Sequence, residues 1–151
     1  ITYSDRFIKN CSNTRTLYEL LNYLLKHNVI DKDRTELVLK TTSVRSGVKR
    51  HNQNRFFDDW EKEHDQKTCL KDMVASLSNN QDVYLCSRLG HERRLEISWI
   101  DKKMIVILEP GIDISQIDGY TPSQEHEFEN IKDKNYNIRI HRPLFAFYWM
   151  I

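Results

Sequence analysis

The sequence predicts an α+β fold, with a helical N-terminal half of about four helices packed on a small antiparallel sheet formed by a hairpin and a C-terminal strand. Three observations carry this expectation. Leu17, Leu20, Leu21, Leu24 and Leu25 recur at helical spacing and make one apolar stripe. Cys69, Leu70, Met73, Val74 and Leu77 make a second. Beyond Gly90 the period changes, and Leu95, Ile97 and Trp99 alternate with Glu96 and Ser98 as on a half-buried strand.

The first helix is expected over about Thr16 to Lys26. Thr16 and Glu19 stand at capping-box spacing, and Lys26 and His27 suit the negative end of the helix dipole. A second helix is expected from Asp31 or Asp33 through Leu37 and Leu39, weakened by the β-branched Thr41 and Thr42. Ser43 to Asn54 reads as a loop or a poorly formed helix. Phe56, Phe57, Trp60 and His64 share one face of a third helix, and Thr68 caps a fourth that stops at Ser78-Asn79-Asn80.

Val83 to Leu89 fits a short helix or a strand. The hairpin then joins Leu95–Trp99 to Met104–Leu108 through Asp101-Lys102-Lys103, and Glu109-Pro110-Gly111 ends it. Ile112 to Gln124 reads as a long surface loop, and Glu125 to Lys134 as a short exposed helix. Asn137 to Ile151 is the C-terminal strand, bent at Pro143 and apolar on both faces from Leu144 onward. Leu20, Leu24, Trp60, Met73, Leu77, Ile97, Trp99 and Val106 are the expected core.

With 151 residues, 39% hydrophobic and 11% aromatic, the chain is read as one domain spanning residues 1–151, helical over 1–90 and strand-rich over 91–151. From its start at Ile1 rather than Met, it is expected to be a fragment of a larger protein. A net charge of +1 points to no class of partner, so any electrostatic function must come from a local patch. Cys11, Cys69 and Cys86 are odd in number and widely spaced, unlike a secreted disulfide framework. No stretch is long enough for a transmembrane helix, and a cytoplasmic or nuclear location is expected.

The most suggestive stretch is basic. Lys40, Arg45, Lys49, Arg50 and Arg55 follow one another with no acid between Glu36 and Asp58. Such a run can neutralise phosphates and release their counterions, and His51, Asn52, Gln53 and Asn54 could reach base edges. The bland alternative is a solvated charged face, because Asp58, Asp59, Glu61, Glu63 and Asp65 follow at once. The order helix, helix, basic segment, helix, hairpin resembles a winged helix-turn-helix, which implies duplex binding by this segment. Leu17 to Leu39 also resembles a helix pair of the death-fold superfamily, but no function is carried over from that short stretch.

Glu61 and His64 have the E-x-x-H spacing of carboxylate-bridged di-metal bundles but lack a second copy, so no metal and no cofactor are expected. His91-Glu92 and His126 with Glu127 and Glu129 read as surface pairs. There is no P-loop, G-x-G-x-x-G, G-x-S-x-G or C-x-x-C. The expected function is a non-catalytic protein-interaction or assembly module, with nucleic-acid binding through residues 40–55 as the alternative. Tyr148, Trp149 and Ile151 are the expected protein contacts. The partner is another protein or another part of the parent chain; self-association is allowed for, and a membrane is not expected.

Overall fold

The computed structural model describes residues 1–44, 60, 62–109, 116–117, 127–132, 138–139 and 144–150. The elements run β1 (Thr2–Ser4), α1 (Cys11–Lys26), β2 (Glu36–Thr42), α2 (Glu63–Leu77), β3 (Asn80–Cys86), β4 (Arg93–Ser98), β5 (Lys103–Glu109), β6 (Gln116–Ile117), α3 (Phe128–Lys132), β7 (Ile138–Arg139) and β8 (Leu144–Met150). Six strands form a mixed sheet in the order β3-β2-β1-β4-β5-β8, and β6 pairs with β7 separately.

This corrects the expected architecture. Among the described residues there are three helices rather than about four, and three strands lie in the half expected to be helical. The sheet is mixed: β1 pairs parallel with β2 and β2 parallel with β3, while β1, β4, β5 and β8 pair antiparallel in turn. The reason is local. Asp31 Oδ1 accepts the amides of Asp33 and Arg34 at 2.9 and 3.1 Å, an Asx turn that takes the place of a helix start. Leu37, Leu39 and Thr41 are then buried at every second position, a spacing that a helix would spread around its circumference. A strand here also removes the helix pair required by the winged helix-turn-helix and death-fold resemblances.

The β1-α1-β2 and β2-α2-β3 connections step the same way along the sheet. Crossovers of one hand therefore place both helices on one face, where α1 packs on α2 and α3 touches both. Tyr3, Leu37, Leu39, Val83, Leu95, Ile97 and Val106 meet this layer from the sheet.

Helix α1 starts earlier than expected. Asn10 is its N-cap, its side chain accepting the Asn13 amide at 2.8 Å, which leaves Thr16 inside the helix; α2 starts after Lys62, so Thr68 lies inside it rather than at its start. The helix stops where Asn28 takes φ 58° and the Val29 amide returns to the Leu24 carbonyl at 2.9 Å. Cys11, Thr14, Leu17 and Leu21 form its buried stripe, whereas Leu20 and Leu24 are half-buried against the core. Trp60, Met73, Leu77, Ile97 and Val106 are buried as expected. Trp99 is not: it lies beyond the end of β4 and is 51% exposed.

Phe128 and Ile131 of α3 are buried, with the Phe128 ring edge-on to Tyr18 at 5.1 Å. The charged stretch around it is therefore anchored by an apolar side. No helix among the described residues is long and apolar enough to cross a membrane.

Candidate functional site

The carboxyl ends of the parallel strands β1, β2 and β3 and the start of β4 lie at one end of the sheet, since Ser4 is paired with both Lys40 and Arg94. Two intervening strands, β2 and β1, separate β3 from β4, so residues 87–92 cross about 14 Å of sheet end at the usual strand spacing. The chain reverses its direction of winding on either side of β1. In open sheets with parallel strands, such a switch point is where ligand-binding crevices form.

A buried polar cluster occupies this position. Arg93 Nε lies 3.0 Å from Asp5 Oδ2, with the two side chains only 6% and 8% exposed. The Phe7 amide donates to Asp5 Oδ1 at 2.8 Å, and the Tyr3 hydroxyl donates to Asp5 Oδ2 at 3.3 Å. Burial pushes the Asp5 carboxyl up from its ordinary value against the opposing pull of Arg93 and these donors. Burial also pushes the Tyr3 hydroxyl up, helped by the Asp5 charge. Tyr3 is thus held as a neutral hydrogen-bond donor.

Toward solvent lies a cationic and aromatic group. The Arg6 guanidinium carbon is 4.7 Å from the centroid of the Phe7 ring, and that of Arg93 is 5.2 Å from it. Arg6 Nη1 is 2.9 Å from His91 Nε2. Because arginine can only donate, His91 must accept at Nε2 and carry its proton on Nδ1. The His91 and Phe7 ring centroids are 6.4 Å apart. The Thr42 hydroxyl fixes the Arg6 carbonyl at 2.8 Å. Arg88 is exposed in the crossing connection, and Lys9 is half-buried nearby in sequence.

Gln66 ties the underside together. Its Nε2 donates to the Ile8 carbonyl at 2.9 Å and the Thr42 carbonyl at 3.1 Å, and its Oε1 accepts the Val44 amide at 2.9 Å. One fully buried amide of α2 thereby joins the β1–α1 connection to the end of β2.

Of the residues singled out in the sequence, Lys40 is half-buried on β2, at a position alternate to the buried Leu39 and Thr41 and opposite Tyr84 in register. Arg45, Lys49, Arg50 and Arg55 lie outside the described residues, as do Phe56, Phe57, Glu61 and Ile151. Tyr148 and Trp149 lie on β8, opposite Ile105 and Met104, and their side chains are outside the described set. The structure brings together Asp5, Arg6, Phe7, Gln66, His91 and Arg93, which reading the sequence did not assemble. His91 was visible as half of a charged pair; the rest carried no local signal.

A mixed sheet with one helical layer and a polar cluster at its switch point defines the structural class. Residues 1–140 match the family described as the C-terminal domain of the DEAD/DEAH box helicase YjiV, and the chain belongs to that family. The family is thus one defined as a domain of a larger protein. No match was found among curated proteins or solved structures.

Proposed function

We propose that this chain is a non-catalytic end domain of a helicase and that it meets nucleic acid at the carboxyl end of its parallel strands. The observation that carries the reading is the Arg6–Phe7–His91 group, a guanidinium held against an aromatic ring and aimed by an imidazole. A stacked arginine keeps donors free for phosphate oxygens and offers a planar surface to a base. Arg88 adds an exposed cation to the half-buried Arg6 at this end.

The acid-free run of Lys40, Arg45, Lys49, Arg50 and Arg55 begins on β2, and the rest of it follows Val44 in the sequence. Gln66 fixes Val44 and Thr42 at the same end of the sheet as Arg6. The family's description as part of a helicase agrees with a polyanionic partner.

Oligonucleotide binding to the intact protein, followed by fluorescence anisotropy over a range of salt, tests this. Arg6→Ala should weaken binding and reduce the salt slope by about one unit. An unchanged slope, or binding that does not respond to Arg6→Ala and Arg88→Ala together, would remove this end of the sheet as the interface.

A second reading concerns protein contact. β8 is the last strand in the sheet order, so among the described residues no strand pairs with its outer edge. Its run from Leu144 to Met150 carries no charge and no proline, the usual means of blunting an edge. Tyr148, Trp149 and Ile151 are the residues proposed to meet another protein or another part of the parent chain.

A further inference from the structure

The end of the sheet opposite the Arg6 cluster carries a different surface. The β4–β5 hairpin closes tightly there, with the Trp99 amide donating to the Lys102 carbonyl at 2.8 Å. Its tip presents Trp99 at 51% exposure and Ile100 at 106%, that is, fully extended into solvent. Polar or turn-forming residues normally fill such a tip. Two adjacent large apolar side chains there have a hydration cost that nothing within the described residues offsets. Asp101 and Lys102, both exposed, flank them.

Two other parts of the chain reach this end. β8 finishes here, Met150 lying opposite Lys103. β1 starts here, since Thr2 pairs with Glu96 and the Ile1 nitrogen donates to the Glu36 carbonyl at 2.6 Å. In a family defined as the C-terminal domain of a helicase, whatever precedes the domain joins the chain at this same end.

We propose that Trp99 and Ile100 are the anchor by which the domain docks onto the preceding part of its own helicase polypeptide, resting on the reading of the chain as a helicase end domain. The receiving surface is a shallow apolar pocket with a rim of mixed charge that answers Asp101 and Lys102. Tethering at Ile1 holds that surface at high effective concentration, so two anchoring side chains suffice where a diffusing partner would need a larger patch. Tryptophan is the side chain most often dominant in such contacts. Nucleic acid is the less favoured occupant here, because Lys103 is engaged by Glu96 and Asp101 offsets Lys102. The two ends of the sheet thus divide the work, one facing nucleic acid and the other the motor.

The test uses the full-length helicase with the photoreactive amino acid p-benzoylphenylalanine in place of Ile100, irradiated with and without a duplex oligonucleotide. The expected product is a crosslink to a peptide of the same polypeptide preceding this domain, present in both samples. Trp99→Ser in the same background should lower its yield at least tenfold and leave the far-ultraviolet circular dichroism unchanged. A crosslink to the oligonucleotide alone, a crosslink between two polypeptides, no crosslink, or a yield indifferent to Trp99→Ser would each overturn the proposal. Oligonucleotide anisotropy on the same preparations scores the opposite end separately, so either reading can fail without the other.

Discussion

Arg93 Nε approaches Asp5 Oδ2 to 3.0 Å where both side chains are almost wholly buried, joining the start of β4 to the end of β1. The carboxylate also accepts the Phe7 amide, so this pair holds the turn that carries Arg6. Asp5→Ala would break this buried pair and also remove the acceptor of the Phe7 amide and the Tyr3 hydroxyl, a change that typically costs about 3–5 kcal/mol. Urea denaturation should show that loss, and oligonucleotide affinity should fall with it. A stability within 1 kcal/mol of the parent, by the same measure, would mean that the Asp5 contact is not structural.

Gln66→Ala removes the partner of the Val44 amide and of the Ile8 and Thr42 carbonyls at once. Buried groups left without partners cost about 1–3 kcal/mol each, so a loss of roughly 3 kcal/mol in urea is expected. Hydrogen exchange should quicken at the Val44 amide well before it quickens in α1.

Helix α1 offers a test of its register. Leu21 is fully buried, whereas Leu24 is half-buried at the margin of the core. Leu21→Ala should cost about 2–5 kcal/mol and Leu24→Ala clearly less. Equal losses in thermal or chemical denaturation would mean that the helix presents a different face from the one observed.

Glu96 lies between Arg94, whose Nε is 2.7 Å from Oε1, and Lys103. Partial burial pushes its carboxyl up, but the Lys103 hydrogen bond and the charges of Arg94, Lys103 and Lys40 outweigh this and hold it below the ordinary value of 4.5. Ionised Glu96 therefore stabilises the fold above the unfolded-state value, and its contribution is lost as pH falls through the lower folded-state value. The stability difference between the parent and Glu96→Gln should be present at neutral pH and disappear on acidification below that range.

The thiols should separate by reactivity. Burial, with help from Asp72, pushes the Cys69 thiol up to about 12, and Cys11 is fully buried, while Cys86 is half-buried on β3. Iodoacetamide at pH 8 should label Cys86 in the folded protein and reach Cys11 and Cys69 after denaturation. Early labelling of Cys69 would contradict its place in the α2 core.

The parts legible in the sequence were those that declare themselves locally. The α2 stripe of Cys69, Leu70, Met73, Val74 and Leu77 is buried as its spacing requires, and the hairpin pairs Leu95 with Val106 and Ile97 with Met104. β1 spans three residues, too few to show any period. β2 was hidden because its alternating Leu37, Leu39 and Thr41 follow a stretch of helix-compatible charges, and a parallel strand has no hairpin turn to announce its partner. The candidate site was illegible for a related reason. Asp5, Gln66 and His91 belong to segments that meet through crossovers, and their contacts depend on the strand order rather than on spacing along the chain.

The position of β1 also bears on how the protein acquires its structure. This strand comes first in the sequence and yet stands between β2 and β4, so it finds its first neighbour after α1 and its second after α2 and β3. During synthesis its second edge must wait, unpaired, until β4 is made. The pairing of Thr2 with Glu96 thus joins distant parts of the chain, a high-contact-order step for which slow folding is expected. Chaperone dependence in the nascent chain would follow from that delay, and a fused folded partner upstream would relieve none of it.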